Sequence, residues 1–292
     1  MHPLTSYLRR LIRHKRSNLC VSADITNADE MLALARAVGP SIVVFKTHAD
    51  ILSGWDPDPV HGTGAKLAAI ARKYLFLVFE DRKFADIGFT VQLQYAGGVH
   101  RIVDWAHIVN AHVISGPDVV RALQEAADSW GGEEINEDVG DAQESGSDTW
   151  KLPSKRGLLL LAQMTSAGNF LNEEYTSNCV AIARQYREFV MGFIALKPLN
   201  SQPEDDFIVM TPGCSLPPEE SLDDSEFVPG SEDALGQQYV TPKELILRGC
   251  DIVIVGRGIC NATDPSAKAE QYRGVAWQAY EERPKLESGD DI

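Results

Sequence analysis

Short apolar runs recur along this chain, and each is followed by a stretch with helical spacing. Eight runs can be read, at residues 19–24, 42–46, 75–81, 107–112, 157–163, 190–196, 207–210 and 251–256. The stretches between them carry helix punctuation. Asn27 precedes an acidic first turn of Asp29 and Glu30. Thr241-Pro242-Lys243-Glu244 has the pattern of a capping box with proline at the first helical position, and Asp264-Pro265 opens a last helix. Strands alternating with helices argue for a parallel sheet. Eight of them in roughly 250 residues is the count of a closed (β/α)8 barrel, the TIM barrel. The expectation is one α/β domain over residues 1–292. The rival is a doubly wound open sheet, which normally wants a glycine-rich phosphate loop after its first strand. The turn here reads Asp24-Ile25-Thr26-Asn27, without glycine.

Charge adds to this frame. The chain has 42 acidic and 27 basic side chains, a net −15 over 292 residues. Most of the imbalance is local. Residues 128–148 hold 8 acids and residues 204–233 hold 10, with no Lys or Arg in either stretch; residues 281–292 hold 5 acids and 2 basics. Together they carry −21 and leave +6 on the rest. Rich in Gly, Ser and Pro, they read as solvated segments. Two acidic loop insertions are expected, at 128–154 and 214–235, with an acidic tail at 281–292. The second insertion reads as an active-site lid. The acidic total argues against nucleic acid or an anionic membrane as partner. No apolar run approaches the roughly 18 residues of a membrane span. The mildly cationic remainder suits an anionic ligand. Five cysteines without a CxxC pair suggest a reduced, cytoplasmic protein. The basic stretch around Leu8, Leu11 and Ile12 reads as an amphipathic first helix rather than a transit peptide.

In a barrel the active site lies at the C-terminal ends of the strands. Those ends are Asp24, Lys46, Asp81, His112, Thr165, Pro212 and Arg257. The densest cluster is 79–88, FEDRKFADIG. Side chains two apart in an extended chain share a face, so Asp81 and Lys83 point together while Glu80 and Arg82 point away and pair with each other. A rim salt bridge worth under about 1 kcal/mol is the bland alternative. A lysine between carboxylates keeps its proton and donates it well to a carbanion. An unpaired aspartate beside it would repel a substrate carboxylate. The two together suit a decarboxylation without a metal. Gly256-Arg257-Gly258 offers backbone N–H groups and a guanidinium fork where barrel enzymes commonly hold phosphate. His48, His107 and His112 read as supporting or packing residues. No His/Asp/Glu spacing has the pattern of a metal site.

The segment 79–94 (FEDRKFADIGFTVQLQ), with 45–52 (FKTHADIL), closely resembles the orotidine 5′-monophosphate decarboxylases of the fungal, single-function type. LCVSAD at 19–24, RGLLLLAQMTS at 156–166, MTPG at 210–213, GQQY at 236–239 and VGRG at 255–258 extend the likeness over about residues 19–280. The resemblance implies a cofactor-free decarboxylation of orotidine 5′-monophosphate to uridine 5′-monophosphate in de novo pyrimidine biosynthesis. It implies that Lys83 protonates C6 of the pyrimidine, that Asp81 sits beside the substrate carboxylate, and that Lys46 and Asp86 complete a Lys-Asp-Lys-Asp array. Asp86 and Thr90 would come from a partner subunit, making a homodimer with shared sites. Asp24 would hold the ribose and Thr165 the pyrimidine amide. Pro212 and Gly256 would line the substrate. Gln237, Tyr239 and Arg257 would grip the phosphate, with 214–235 as the lid on that side. Phe89, Thr165 and Cys214 depart from the usual pattern, which has asparagine, serine and an aliphatic residue there. Two other functions stay open: a metal-dependent sugar-phosphate decarboxylase of the same superfamily, and a silent nucleotide-binding scaffold. Chelator sensitivity separates the first; intact Lys46, Asp81, Lys83 and Asp86 speak against the second.

Overall fold

The computed structural model describes residues 2–130, 150–217, 221 and 238–283. Gln237, most of the two acidic insertions and residues 284–292 of the tail lie outside the described residues. All eight expected strands form: β1 (Leu19–Ser22), β2 (Val44–Thr47), β3 (Leu77–Phe84), β4 (Ile108–Ala111), β5 (Gly157–Leu161), β6 (Val190–Ile194), β7 (Ile208–Thr211) and β8 (Ile252–Val255). Each pairs in parallel with the next, and β1 pairs with β8, so the sheet closes. An open sheet would leave two strands with one neighbour each.

The helix starts follow their capping chemistry. Asn27 Oδ1 accepts N–H groups from Asp29 at 2.9 Å and Glu30 at 3.1 Å. Thr241 Oγ1 accepts from Glu244, and Asp264 Oδ1 from Ser266 and Ala267. These bonds satisfy N–H groups that have no partner within the helix. Two one-turn helices, Ile102–Trp105 and Arg257–Cys260, are too short to leave a periodic signal.

The core has two layers, as the alternation of strand side chains requires. Leu19, Val21, Phe45 and Val78 face outward and pack against the surrounding helices. Cys20, Val44, Leu77, Phe79, Ile108, Leu159, Met210 and Ile252 fill the barrel interior. The first helix, Pro3–Lys15, joins this inner layer through Leu4, Leu8, Leu11 and Ile12, all at most 3% exposed. Burial of each such side chain stabilises by about 1.5–3 kcal/mol. Its last residue, Lys15, donates from Nζ to the carbonyls of Gly39, Ile42, Tyr74 and Leu75 at 2.6–3.1 Å. The basic N-terminal segment is therefore an integral part of the packed barrel.

Two expectations about the acidic segments change. Asp205, expected in a solvated loop, has a fully buried side chain held by Arg184 at 2.6 Å and Arg187 at 3.2 Å. Asp206 pairs with Arg9 at 2.7 Å. The limits of the first insertion also move inward. Asp128 belongs to the helix Asp118–Ser129, and Trp150 packs against Tyr7 and His14. Among the described residues, no helix is long and apolar enough to cross a membrane.

Candidate active site

The inward face of each strand leads upward to the site. On β1 it runs Cys20, Ser22 and on to Asp24; on β2, Val44, Lys46 and on to His48; on β3, Leu77, Phe79 and Asp81. On β4 it runs from Ile108 to Asn110. These side chains open into a cavity of about 280 Å³ at the C-terminal ends of the strands. Of the expected residues, Asp24, Lys46, Asp81, Lys83, Thr165, Pro212, Tyr239, Gly256 and Arg257 all line it. Ser22, His48, Asn110 and Gln163 line it as well.

Asp81 is the centre of the cluster. Lys46 Nζ donates to its Oδ2 at 2.7 Å, and Lys83 Nζ to its Oδ1 at 2.7 Å. Asn110 Nδ2 donates to the same Oδ1 at 2.7 Å. The Asp81 and Lys46 side chains are only 10% and 8% exposed, so this is no rim pair. Burial alone would push the Asp81 carboxyl up; the charges of Lys46 and Lys83 outweigh it and hold the group well below the usual carboxylate range. Burial likewise opposes the charge on Lys46, and Asp81 and Asp24 more than restore it, raising its pKa. The Lys46 Nζ lies 3.8 Å from Asp24 Oδ1 and 2.9 Å from His48 Nε2. Burial, then the Lys46 charge, lower the His48 pKa, which favours a neutral ring able to accept from the ammonium.

Three expectations about this stretch need correction. Asp81 is not unpaired; it is bracketed by two ammonium groups and an amide. Asp81 and Lys83 do converge, but not because the chain stays extended. Lys83 has φ 52°, in the left-handed region that costs a residue with a Cβ about 1–2 kcal/mol. β3 also slips register against β4 between Glu80 and Phe84. Nor do Glu80 and Arg82 serve as each other's partners. Glu80 accepts from Thr47 Oγ1 at 2.7 Å and from the Ala49 N–H at 3.0 Å, while Arg82 lies 5.9 Å from the Phe84 ring. Burial pushes the Glu80 carboxyl up to about 8.

Asp86 and Thr90 do not line this cavity. Asp86 is exposed and its Oδ1 accepts the Ile87 N–H at 2.7 Å. The other end of the cavity holds a cation. Arg257 donates through Nη2 to the Tyr239 hydroxyl, and its guanidinium lies 5.9 Å from the Tyr239 ring centre. Gly256 sits so close to Asp24 that a Cβ there would meet Oδ2 at 3.0 Å. Tyr272, expected as a packing aromatic, also accepts the Leu216 N–H through its hydroxyl at 3.1 Å. Val240 N–H donates to Gly213 O at 2.8 Å, joining the two backbone segments that flank residues 218–237.

Known proteins resemble this chain in sequence and in fold. Residues 17–272 match the model of the orotidine 5′-phosphate decarboxylase / HUMPS family. The chain belongs to that family. Relatives named orotidine 5′-phosphate decarboxylase include one from Aureobasidium pullulans, 47% identical over 96% of this chain and 88% of its own length. Another, from Hypocrea atroviridis, is 43% identical over 97% of this chain and 94% of its own. Among solved structures, the orotidine 5′-monophosphate decarboxylase of Methanocaldococcus jannaschii, complexed with the inhibitor BMP, aligns with a TM-score of 0.56 at 19% identity, covering 89% of this chain and 98% of that one. The Pyrococcus horikoshii enzyme gives 0.55 at 18%, over 88% and 99%. These two share the barrel fold.

Asn110 and His48 are the site residues that sequence reasoning undervalued. Asn110 is uncharged and fully buried, and reading strand four by its end singled out His112 instead. The signal was present in the period of two, which carries the inward face from Ile108 to Asn110.

Proposed function

We propose that the chain decarboxylates orotidine 5′-monophosphate to uridine 5′-monophosphate, without a cofactor, in de novo pyrimidine biosynthesis. The C6–carboxylate bond breaks, its electron pair stays on C6, and carbon dioxide leaves. Lys83 Nζ then gives a proton to C6. The substrate carboxylate sits beside Asp81, whose charge Lys46 and Lys83 partly offset; the repulsion that is left disappears as neutral carbon dioxide forms. Lys46 keeps Asp81 ionised and aimed. Thr165 and Pro212 line the base, Asp24 holds the ribose, and Arg257 and Tyr239, with Gln237, hold the phosphate. Binding energy gained at the phosphate can be used at the reacting carbon.

One observation carries this reading: the Lys46–Asp81–Lys83 chain shares a cavity with the Arg257–Tyr239 pair. A substrate with carboxylate at one end and phosphate at the other fits both. Membership of the family and the names of the relatives support it. We further infer a homodimer in which Asp86 and Thr90 complete the partner's site. Ile87, Phe89 and Leu93, next to them, are 66%, 72% and 57% exposed, an apolar surface suited to burial by a second copy. A cytoplasmic location fits five cysteines that form no CxxC motif.

The test is the loss of orotidine 5′-monophosphate absorbance on adding the purified protein, with and without chelator. Equal turnover in both supports the reading. Turnover abolished by chelator would favour the metal-dependent alternative, and none in either would reject the activity.

A further inference from the structure

Lys83 holds its ammonium group from a backbone that a lysine seldom adopts. It is one of four non-glycine residues with positive φ among the described residues. The two chain registers around it do not match: Glu80 faces Val109 while Phe84 faces Ala111, so four steps along β3 answer two along β4. A backbone in such a state persists only where its surroundings fix it. Asn110, on β4 opposite this irregularity, supplies the restraint. Its Oδ1 accepts the Lys83 N–H at 2.8 Å, and its Nδ2 donates to Asp81 Oδ1 at 2.7 Å. That same oxygen receives Lys83 Nζ at 2.7 Å. One amide thus grips the lysine by its backbone and the aspartate by its carboxylate. Asn110 is itself 0% exposed, between Val109 and Ala111 in the barrel wall, so it cannot swing away.

We propose that Asn110 is a positioning residue for the decarboxylation, fixing Lys83 Nζ relative to the Asp81 carboxylate and so to the carbon it protonates. The inference rests on the proposed function. The chemistry is specific to an amide, because the site needs an acceptor for an N–H on one side and a donor to a carboxylate on the other. A carboxylate of the same shape keeps the acceptor and loses the donor. It also sets a second negative charge against Asp81, in a cluster that already contains Asp24, Lys46, Lys83, His48 and, beyond the end of β4, His112. An aliphatic residue supplies neither bond.

The experiment uses Asn110→Asp and Asn110→Ala in the full chain. Both are assayed with orotidine 5′-monophosphate, and both are tested by calorimetry for binding of uridine 5′-monophosphate. Misplacement of a reacting group by about 1 Å costs on the order of 100-fold in rate. The kcat of each variant is expected to fall by about that factor or more, while the product nucleotide, gripped by Arg257 and Tyr239, binds within about threefold of wild type. A loss confined to KM, or a kcat within about threefold of wild type in Asn110→Asp, would overturn the inference. If the alanine variant does not fold, the near-isosteric aspartate variant decides. A second arm does not depend on activity. In crystal structures of the variants, Lys83 should leave the positive-φ region or move its Nζ beyond ion-pair distance of Asp81. Unchanged φ and unchanged Nζ placement in both variants would overturn the inference whatever the turnover. A wild-type chain inactive on the substrate would instead reject the proposed function.

Discussion

Replacing Arg257 by alanine should separate the phosphate end of the cavity from the reacting end. The guanidinium is the cation at that end, held by the Tyr239 hydroxyl at the start of the one-turn helix Arg257–Cys260. A charge-assisted hydrogen bond to phosphate contributes about 1.5–3 kcal/mol. Arg257 is exposed, so solvent screening makes two full-strength bonds too generous, and one bond of about 1.5–3 kcal/mol is the better figure. At about 1.4 kcal/mol per tenfold, that is roughly a 10- to 140-fold weaker Kd. Titration calorimetry with uridine 5′-monophosphate and with uridine reads both quantities on one protein. The nucleotide should weaken by that factor and the nucleoside by less than about threefold, and the difference should shrink as salt is raised. Arg257→Lys keeps the charge without the fork and should fall between. Equal losses for nucleotide and nucleoside would refute the assignment, because a general collapse of the site does not distinguish the two ligands.

Mixing Lys83→Ala chains with Asp86→Ala chains should restore part of the activity, since a mixed dimer can assemble one intact site; no recovery from demonstrated heterodimers would count against sharing. Glu80 has a folded pKa of about 8 against an ordinary 4.5. Between those values the folded state binds the extra proton, so stability falls as pH rises through the window. Glu80→Gln cannot ionise, and its melting temperature relative to wild type should improve from pH 5 to pH 9, by a stability difference on the order of 3 kcal/mol. A pH-independent difference would reject the buried-acid account. For Asp205 the sign is opposite. The bonds from Arg184 depress its pKa, so its contribution is present above the ordinary value of 3.8 and is lost as pH falls below it. Asp205→Ala should destabilise by about 3 kcal/mol at pH 7, measured by urea unfolding; a change under about 0.5 kcal/mol would mean that the arginines find other partners.

The barrel was legible because strands covered on both faces must be apolar throughout, and because asparagine, threonine and aspartate mark helix starts by a local hydrogen bond. Lys46, Asp81 and Arg257 were legible because each interrupts or ends such a run with a charge. Other features required partners from other strands. Lys46 reaches Asp81 only because β2 pairs with β3 in the register that sets Lys46 opposite Phe79, and periodicity carries no register. The positive φ of Lys83 leaves no mark in sequence, since glycine is the usual sign of that conformation. Asp205 looked solvated because its neighbours are polar; its two arginines lie 18 and 21 residues away in the chain.

Turnover of orotidine 5′-monophosphate by Lys83→Ala beside wild type, on protein shown to be folded and to bind uridine 5′-monophosphate, tests whether Lys83 is the proton donor. If Lys83 supplies the proton to C6, wild type turns over and the variant falls to the limit of detection while still binding the product nucleotide. Turnover by Lys83→Ala close to that of wild type would contradict the account.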